Sequence, residues 1–205
     1  MQPLLERLMT TFPDAVRGVE VDTARNEITA RVAAARIVDV ARWLHDTPEA
    51  SFDHITDICS VDYPNDPERF EVVYQLLSLA HRRRIRLKAR VTEDAPQIAS
   101  VTGIWKGAEF MEREVYDLMG ITFVGHPDLR RILLPEDYEE GHPLRKDFPT
   151  EGRGWRSSFP FIPRLDEAPE EQTEGEVPEQ EKQAYLVAEH QGGTRRREEL
   201  LLNMG

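Results

Sequence analysis

The sequence predicts an α+β fold, a mixed or antiparallel sheet with helices packed on one face, followed by a proline-rich extended arm and a polar C-terminal tail. Three observations carry this. Period-two apolar alternation recurs before residue 120, helical apolar spacing recurs three times among those strands, and the two patterns do not alternate as regular βαβ units. After residue 120 the periodicity stops. The chain accordingly divides into a core domain over 1–120, an arm over 121–164 and an acidic tail over 165–205.

In order along the chain, Leu4, Leu5, Leu8 and Met9 recur at helical spacing after Pro3, which predicts a short first helix. Val16–Val21 and Glu27–Val32 predict two strands joined by a turn through Asp22 to Asn26. Ile37, Val40, Ala41 and Leu44 define a second helix that stops before Pro48, where the ring and missing N–H forbid continuation. Phe52–Val61 is a strand, ended by the breakers Pro64, Asn65, Asp66 and Pro67. The next strand, Phe70 to Leu77, is apolar at most positions and is therefore covered on both faces for part of its length. Arg84 to Val91 alternates most cleanly, with Ile85, Leu87, Ala89 and Val91 on one face and Arg84, Arg86, Lys88 and Arg90 on the other. A hairpin through Ala80 to Arg83 joins these two. A third helix runs from about Lys106 to Met119 and ends at Gly120 in the left-handed cap position. Its apolar stripe is Ala108, Met111, Val115, Leu118 and Met119. Glu109, Glu112, Arg113 and Asp117 are placed on its other faces, with Glu109–Arg113 and Arg113–Asp117 as i,i+4 pairs.

The arm holds six prolines, Pro127, Pro135, Pro143, Pro149, Pro160 and Pro163, which exclude long helices and ladder-paired strands. It is also apolar, with Ile132, Leu133, Leu134, Phe148, Trp155, Phe159, Phe161 and Ile162, so it lies on something, its own domain or a partner. The tail combines acids, Gln and Pro with few aromatics, a composition that does not order alone.

Composition narrows the function. Of 205 residues 40% are hydrophobic and 31% charged, mean hydropathy is −0.55, and no apolar run approaches the roughly 20 residues of a membrane helix. The N-terminus lacks a basic region followed by an apolar stretch, so no signal peptide is expected and the chain reads as soluble and intracellular. Its single cysteine, Cys59, excludes an internal disulfide framework and any all-cysteine metal or iron–sulfur site within one chain. Cys59 reads as a buried structural residue, and Trp43, Trp105 and Trp155 as packing anchors. Net charge is −12, and eight acids without a base between Asp166 and Glu181 contribute most of it. Sequence-independent nucleic-acid binding is therefore not expected.

The polar residues suited to chemistry gather at Glu112, Arg113, Glu114, Asp117, His126, Asp128, Arg130, Arg131, His142, Arg145 and Asp147. A metal-assisted hydrolase would use His126, Asp128, His142 and Asp147, but the paired ligand spacing of a zinc helix is missing. Glu112 and Glu114 point about 200° apart on a helix and cannot converge on one substrate. The plainer reading pairs the helix acids with Arg130, Arg131 and Arg145 of the following loop and locks it down. An anion-binding reading of Arg84, Arg86, Lys88 and Arg90 competes with a solvated face or pairing with acids.

Two motifs carry a family resemblance. Glu112-Arg113-Glu114-Val115-Tyr116-Asp117-Leu118-Met119, then His126-Pro127-Asp128-Leu129-Arg130-Arg131, resembles the signature of the C subunit of proton-pumping NADH–quinone oxidoreductase, respiratory complex I. Gly141-His142-Pro143-Leu144-Arg145-Lys146-Asp147-Phe148-Pro149 is also similar to that family. The resemblance implies a non-catalytic structural subunit of the hydrophilic arm, peripheral on the cytoplasmic side of a bacterial membrane. It implies no flavin, iron–sulfur cluster or quinone site in this chain, with FMN, iron–sulfur clusters and quinone held by partner subunits. The implied neighbour is the D subunit near the quinone-reducing region, and the membrane is met only through the complex. Arg130, Arg131 and Arg145 would then be interface and loop-locking residues. Related domains in membrane-bound hydrogenase-type complexes are the alternative.

Overall fold

The computed structural model describes residues 2–22 and 27–153. Trp155, Phe159, Phe161, Ile162 and the acidic tail lie outside the described residues.

Helix α1 (Gln2–Thr11) buries Leu4, Leu5 and Leu8, while Met9 turns outward. Strands β1 (Val16–Asp22) and β2 (Glu27–Val32) pair antiparallel, with an irregularity between Val16 and Gly18. A short 3-10 turn leads into α2 (Ile37–Asp46), whose buried residues Ile37, Val40, Ala41 and Leu44 are those the spacing predicts. Strand β3 (His54–Asp62) follows, then β4 (Phe70–Ser78) and β5 (Arg83–Val91). The five strands form one sheet in the order β1-β2-β5-β4-β3, parallel between β2 and β5 and antiparallel elsewhere. The sheet is therefore mixed, as expected.

Register explains which face is the core. Phe70, Val72, Tyr74 and Leu76 of β4 stand opposite Val91, Ala89, Leu87 and Ile85 of β5, and all eight are buried. They share one apolar core with residues from α1, α2 and the third helix, so the helices cover one face. On the other face Glu71, Val73 and Gln75 oppose Arg90, Lys88 and Arg86. Trp105 is buried and donates its indole N–H to the Phe52 carbonyl at 3.0 Å. Trp43 packs edge-on against Phe12 with ring centroids 6.2 Å apart. Both are packing anchors, as read.

Two short strands escape the sequence reading. β6 (Gln97–Ala99) and β7 (Thr122–Val124) pair in parallel on either side of α3 (Ala108–Met119) in the chain. Three residues are too few to show a period, and β7 precedes Pro127, so the proline argument against ladder pairing does not reach it. Cys59 also departs from expectation: it is exposed on β3, on the face opposite the core. Partial desolvation, then Asp57, push its thiol pKa up, the reverse of an activated nucleophile.

Candidate functional site

Helix α3 organises the motif residues, and its sides face different surroundings. Ala108, Val115 and Met119 enter the core as the spacing predicts. Glu112, Arg113 and Asp117, expected on other faces with Arg113–Asp117 as an i,i+4 pair, are buried as well. The reason is a second cover. The arm lies along α3 and takes the Arg113–Asp117 side out of water, which a helical wheel drawn against one core cannot anticipate.

Asp117 holds the first part of that arm. One carboxylate oxygen accepts from Arg131 Nη1 at 2.9 Å, and the other accepts the backbone N–H groups of Ile132, Leu133 and Leu134 at 3.0, 2.8 and 2.8 Å. Three consecutive N–H groups that no ladder pairs thus converge on one buried anion. Burial opposes this ionisation, but the Leu134, Ile132 and Leu133 N–H groups and Arg131 outweigh it and hold the carboxyl below the usual range. From the neighbouring turn, Arg113 donates to the carbonyls of Arg130 and Arg131 at 3.2 and 3.0 Å in place of its expected acid partners.

The second motif caps the C-terminal end of α3. His142 Nδ1 donates to the Asp117 carbonyl at 3.0 Å, the Leu144 N–H to the Leu118 carbonyl at 3.1 Å, and Arg145 Nε to the Met119 carbonyl at 2.8 Å. Three orphan carbonyls of the last turn are satisfied by residues from the arm, with a cation at the negative end of the helix. Burial, and after it the charges of Arg145 and Arg131, outweigh the Asp117 carbonyl and keep the His142 pKa below its ordinary value. Gly120 makes the approach possible. Its φ is +73°, and a Cβ there would collide with the His142 ring and the Arg145 guanidinium.

A third anchor ties the arm to the sheet. Arg69 is buried just before β4 and forks onto both oxygens of Asp62 at 2.7 and 2.8 Å. It also reaches Glu93 at 2.6 Å and Asp147 at 2.8 Å, while Asp62 accepts the Lys146 N–H at 2.8 Å. The Arg69 guanidinium holds the Asp62 and Asp147 carboxyls below the ordinary range. Arg145 stacks over Phe70 with its guanidinium carbon 4.8 Å from the ring centroid.

Glu112 is fully buried on the core side. It accepts from Ser100 Oγ at 2.6 Å and the Val101 N–H at 2.7 Å, fixing the segment after β6 to α3. Burial raises its pKa, and these donors only partly offset that. Nearby Tyr74 is buried with its hydroxyl unpaired among the described residues, and burial, then Glu112, raise the phenol pKa.

The remaining motif residues stay apart. His126 Nε2 donates to the Glu109 carbonyl at 3.0 Å and its Nδ1 accepts the Asp128 N–H at 3.0 Å, so both ring nitrogens are engaged within the chain. Asp128 pairs with Arg130 on the surface, and Glu114 is exposed. The four residues of the hydrolase reading, His126, Asp128, His142 and Asp147, each bond to a different partner. Among the described residues no three His, Cys, Asp or Glu side chains are placed to hold one metal ion. A groove of about 870 Å³ beside α2 and a cleft of about 310 Å³ between β2, β4 and β5 contain none of the motif residues. Three of the four strand cations are paired with acids: Lys88 and Arg90 flank Glu71, Arg90 also meets Asp66, and Arg86 meets Glu27, while Arg84 is exposed. The arm residues expected to pair with helix acids therefore do so in one case, Arg131 with Asp117. Arg130 meets Asp128, and Arg145 meets a carbonyl. Arg69, Asp62 and Ser100 are not among the expected site residues.

Residues 30–154 match the family model for the respiratory-chain NADH dehydrogenase 30 kDa subunit. The C subunit of NADH-quinone oxidoreductase from Roseiflexus sp. (strain RS-1) is 51% identical over 146 residues, covering 71% of this chain and 82% of the relative. The protein of the same name from Xanthobacter autotrophicus is 50% identical over 152 residues, covering 74% and 71%. A solved structure of the trypsin-resistant fragment 1–134 of Nqo5 superposes with a TM-score of 0.52 at 32% identity, covering 62% of this chain and 98% of that one. A chain of the membrane-bound sulfane sulfur reductase, an archaeal respiratory membrane complex, shares the fold with a TM-score of 0.65 at 24% identity, covering 83% and 97%.

Proposed function

The chain belongs to the family of the respiratory-chain NADH dehydrogenase 30 kDa subunit, and from that premise we propose that it is a non-catalytic structural subunit of the peripheral arm of complex I. The single observation that carries the non-catalytic role is the use made of the motif. Asp117, Arg113, His126, His142, Arg145 and Asp147 all bond within this chain, and what they do there is hold residues 126–147 against α3 and the sheet edge. Polar groups so engaged shape a surface and do not converge on a substrate.

In this role the chain takes electrons from nothing and passes them to nothing. FMN, iron–sulfur clusters and quinone belong to neighbouring subunits, foremost the D subunit beside the quinone-reducing region. The chain sits on the cytoplasmic side and reaches the membrane through the complex. No helix among the described residues is long and apolar enough to cross a membrane.

The test is to tag the full chain in its host, extract membranes in mild detergent and identify the co-purifying proteins by mass spectrometry. Flavin- and iron–sulfur-bearing subunits with NADH–quinone activity are the expected result. A hydrogenase large subunit would move the chain to a related complex, and a lone chain without partners would overturn the proposal.

A further inference from the structure

Helix α3 is enclosed on two sides. Ala108, Glu112, Val115 and Met119 face the core, and Arg113 and Asp117 face the arm. The side left over is the i,i+4 row Phe110, Glu114 and Leu118. Phe110 is 60% exposed and Leu118 partly so. Beside the C-terminal end of the helix, where Leu118 stands, the arm adds two more large apolar side chains. Leu133 and Leu144 are 59% and 56% exposed, and their N–H groups are tied to the Asp117 carboxylate and the Leu118 carbonyl. On this row one carboxylate, Glu114, stands one turn from Phe110 and one turn from Leu118, and it forms no ion pair or hydrogen bond with the described residues.

This patch has the properties of an anchor surface. Its apolar residues stand on backbone already fixed by the Asp117 and helix-cap contacts, so covering them orders little further chain. Its charge selects the occupant. Burying Glu114 without a counterion would be strongly unfavourable, so what covers it supplies a cation, while the surrounding side chains ask for apolar contact. An i,i+4 ridge is also the shape that packs against another helix.

We infer that the Phe110–Glu114–Leu118 face of α3, with Leu133 and Leu144, seats one helix of a neighbouring subunit whose apolar stripe is interrupted by a single Arg or Lys that pairs with Glu114. This inference rests on the chain being one component of a larger complex. It goes beyond that role by fixing the surface and the chemistry of what lies on it.

The test uses the full chain made in its host, where the whole complex assembles. A photo-reactive phenylalanine analogue at position 110 is expected to cross-link to a helix of a different subunit, within one or two turns of an Arg or Lys. The double variant Phe110→Asp, Leu133→Asp and the variant Glu114→Arg are expected to lower incorporation into the complex at least about tenfold. Glu114→Gln, which removes the charge without reversing it, lowers it less. Thermal unfolding of each purified chain should stay near wild type, since all three side chains are on the surface. A cross-link to a second copy, or to another segment of this chain, overturns the inference. So does wild-type incorporation of the variants, with the wild-type chain co-purifying normally: the subunit role then stands and this face is not its interface. If the wild-type chain co-purifies with no complex, the subunit role itself falls and takes this inference with it.

Discussion

The sheet domain and the arm are held by opposite means. Between β2, β4 and β5 the chain is fixed by ladder hydrogen bonds and by apolar rows such as Ile85, Leu87, Ala89 and Val91, none of which needs a particular distant partner. From His126 to Asp147 there is no ladder and only one buried apolar side chain, Tyr138. The backbone there is held by side chains of named residues elsewhere: Asp117, Arg113, Asp62 and Arg69. The difference has an energetic consequence. An apolar core loses stability in proportion to the volume removed, whereas a buried charge cluster fails at once when one member is taken away.

The largest expected effect therefore lies at a residue that belongs to neither motif. Arg69→Ala leaves the Asp62 carboxylate fully buried with the Lys146 N–H as its one remaining hydrogen-bond donor among the described residues, and should cost about 4 kcal/mol, in the range for breaking a buried ion pair. Chemical denaturation of wild type and variant measures it. A loss below about 1 kcal/mol would mean that Asp62 is solvated after the substitution and that the cluster is not an anchor.

Asp117→Ala should cost somewhat less, about 3 kcal/mol, because Arg131 keeps some access to water while the N–H groups of Ile132, Leu133 and Leu134 lose their acceptor. Amide exchange separates the two regions: protection should vanish at 132–134 and persist in β4 and β5. Acid does the same work without a mutation. Asp117 and Asp62 have folded pKa values below the usual one, so their contribution is full above about pH 3.9 and is lost as the pH falls through the lower folded values. Exchange at 132–134 should consequently rise at low pH before that of the sheet.

How much of the molecule is legible in its sequence follows from the same contrast. The sheet can be read because period two survives in a single strand, and α2 because Ile37, Val40, Ala41 and Leu44 are enough to define a face. Arg69 cannot be read. Its partners Asp62, Glu93 and Asp147 lie 7, 24 and 78 residues away, and nothing in its own neighbourhood marks it as buried. The motif singles out Glu112 and Asp117, yet helical spacing places them only off the apolar stripe, because spacing reports one covered side of a helix and α3 has two. The pairing of Arg131 with Asp117 is within reach, since a helix acid and a loop arginine in sequence order suggest it. The use of Asp117 as acceptor for three backbone N–H groups is not, because those groups carry no side-chain signature.

On α3 itself the two buried carboxyls should respond to pH with opposite sign, which sharpens the contrast between its core side and its arm side. Glu112 has a raised pKa, so its favourable contribution is complete below about pH 4.3 and declines as the pH rises toward the folded value. Glu112→Gln removes that decline while keeping a carbonyl to accept the Val101 N–H. At acid pH the variant should lose about 1 kcal/mol, one hydrogen bond imperfectly replaced. The gap to wild type should narrow as the pH rises above about 4.3, as followed by thermal unfolding across pH. A gap that widened instead would show Glu112 to be stabilised as an anion.

The smallest effect is expected in the arm, and it divides neighbours that the motif treats as a pair. Arg131 is three-quarters buried and holds Asp117, whose side chain is inaccessible. Among the described residues Arg130 pairs only with Asp128, both at least half exposed, and its structural contact with α3 runs through its backbone carbonyl, which accepts from Arg113. A surface ion pair contributes about 0–1 kcal/mol, and truncating the side chain leaves the carbonyl in place. Arg130→Ala should therefore change stability by less than about 0.5 kcal/mol, against about 2 kcal/mol or more for Arg131→Ala, which strips a buried carboxylate of the cation paired with it. Equal losses at the two positions would show that Arg130 is held in the folded chain by contacts other than Asp128. Unequal losses of stability with equal losses of incorporation into the complex would separate the two tasks of the motif: Arg131 holds the arm down, and Arg130 faces outward from it.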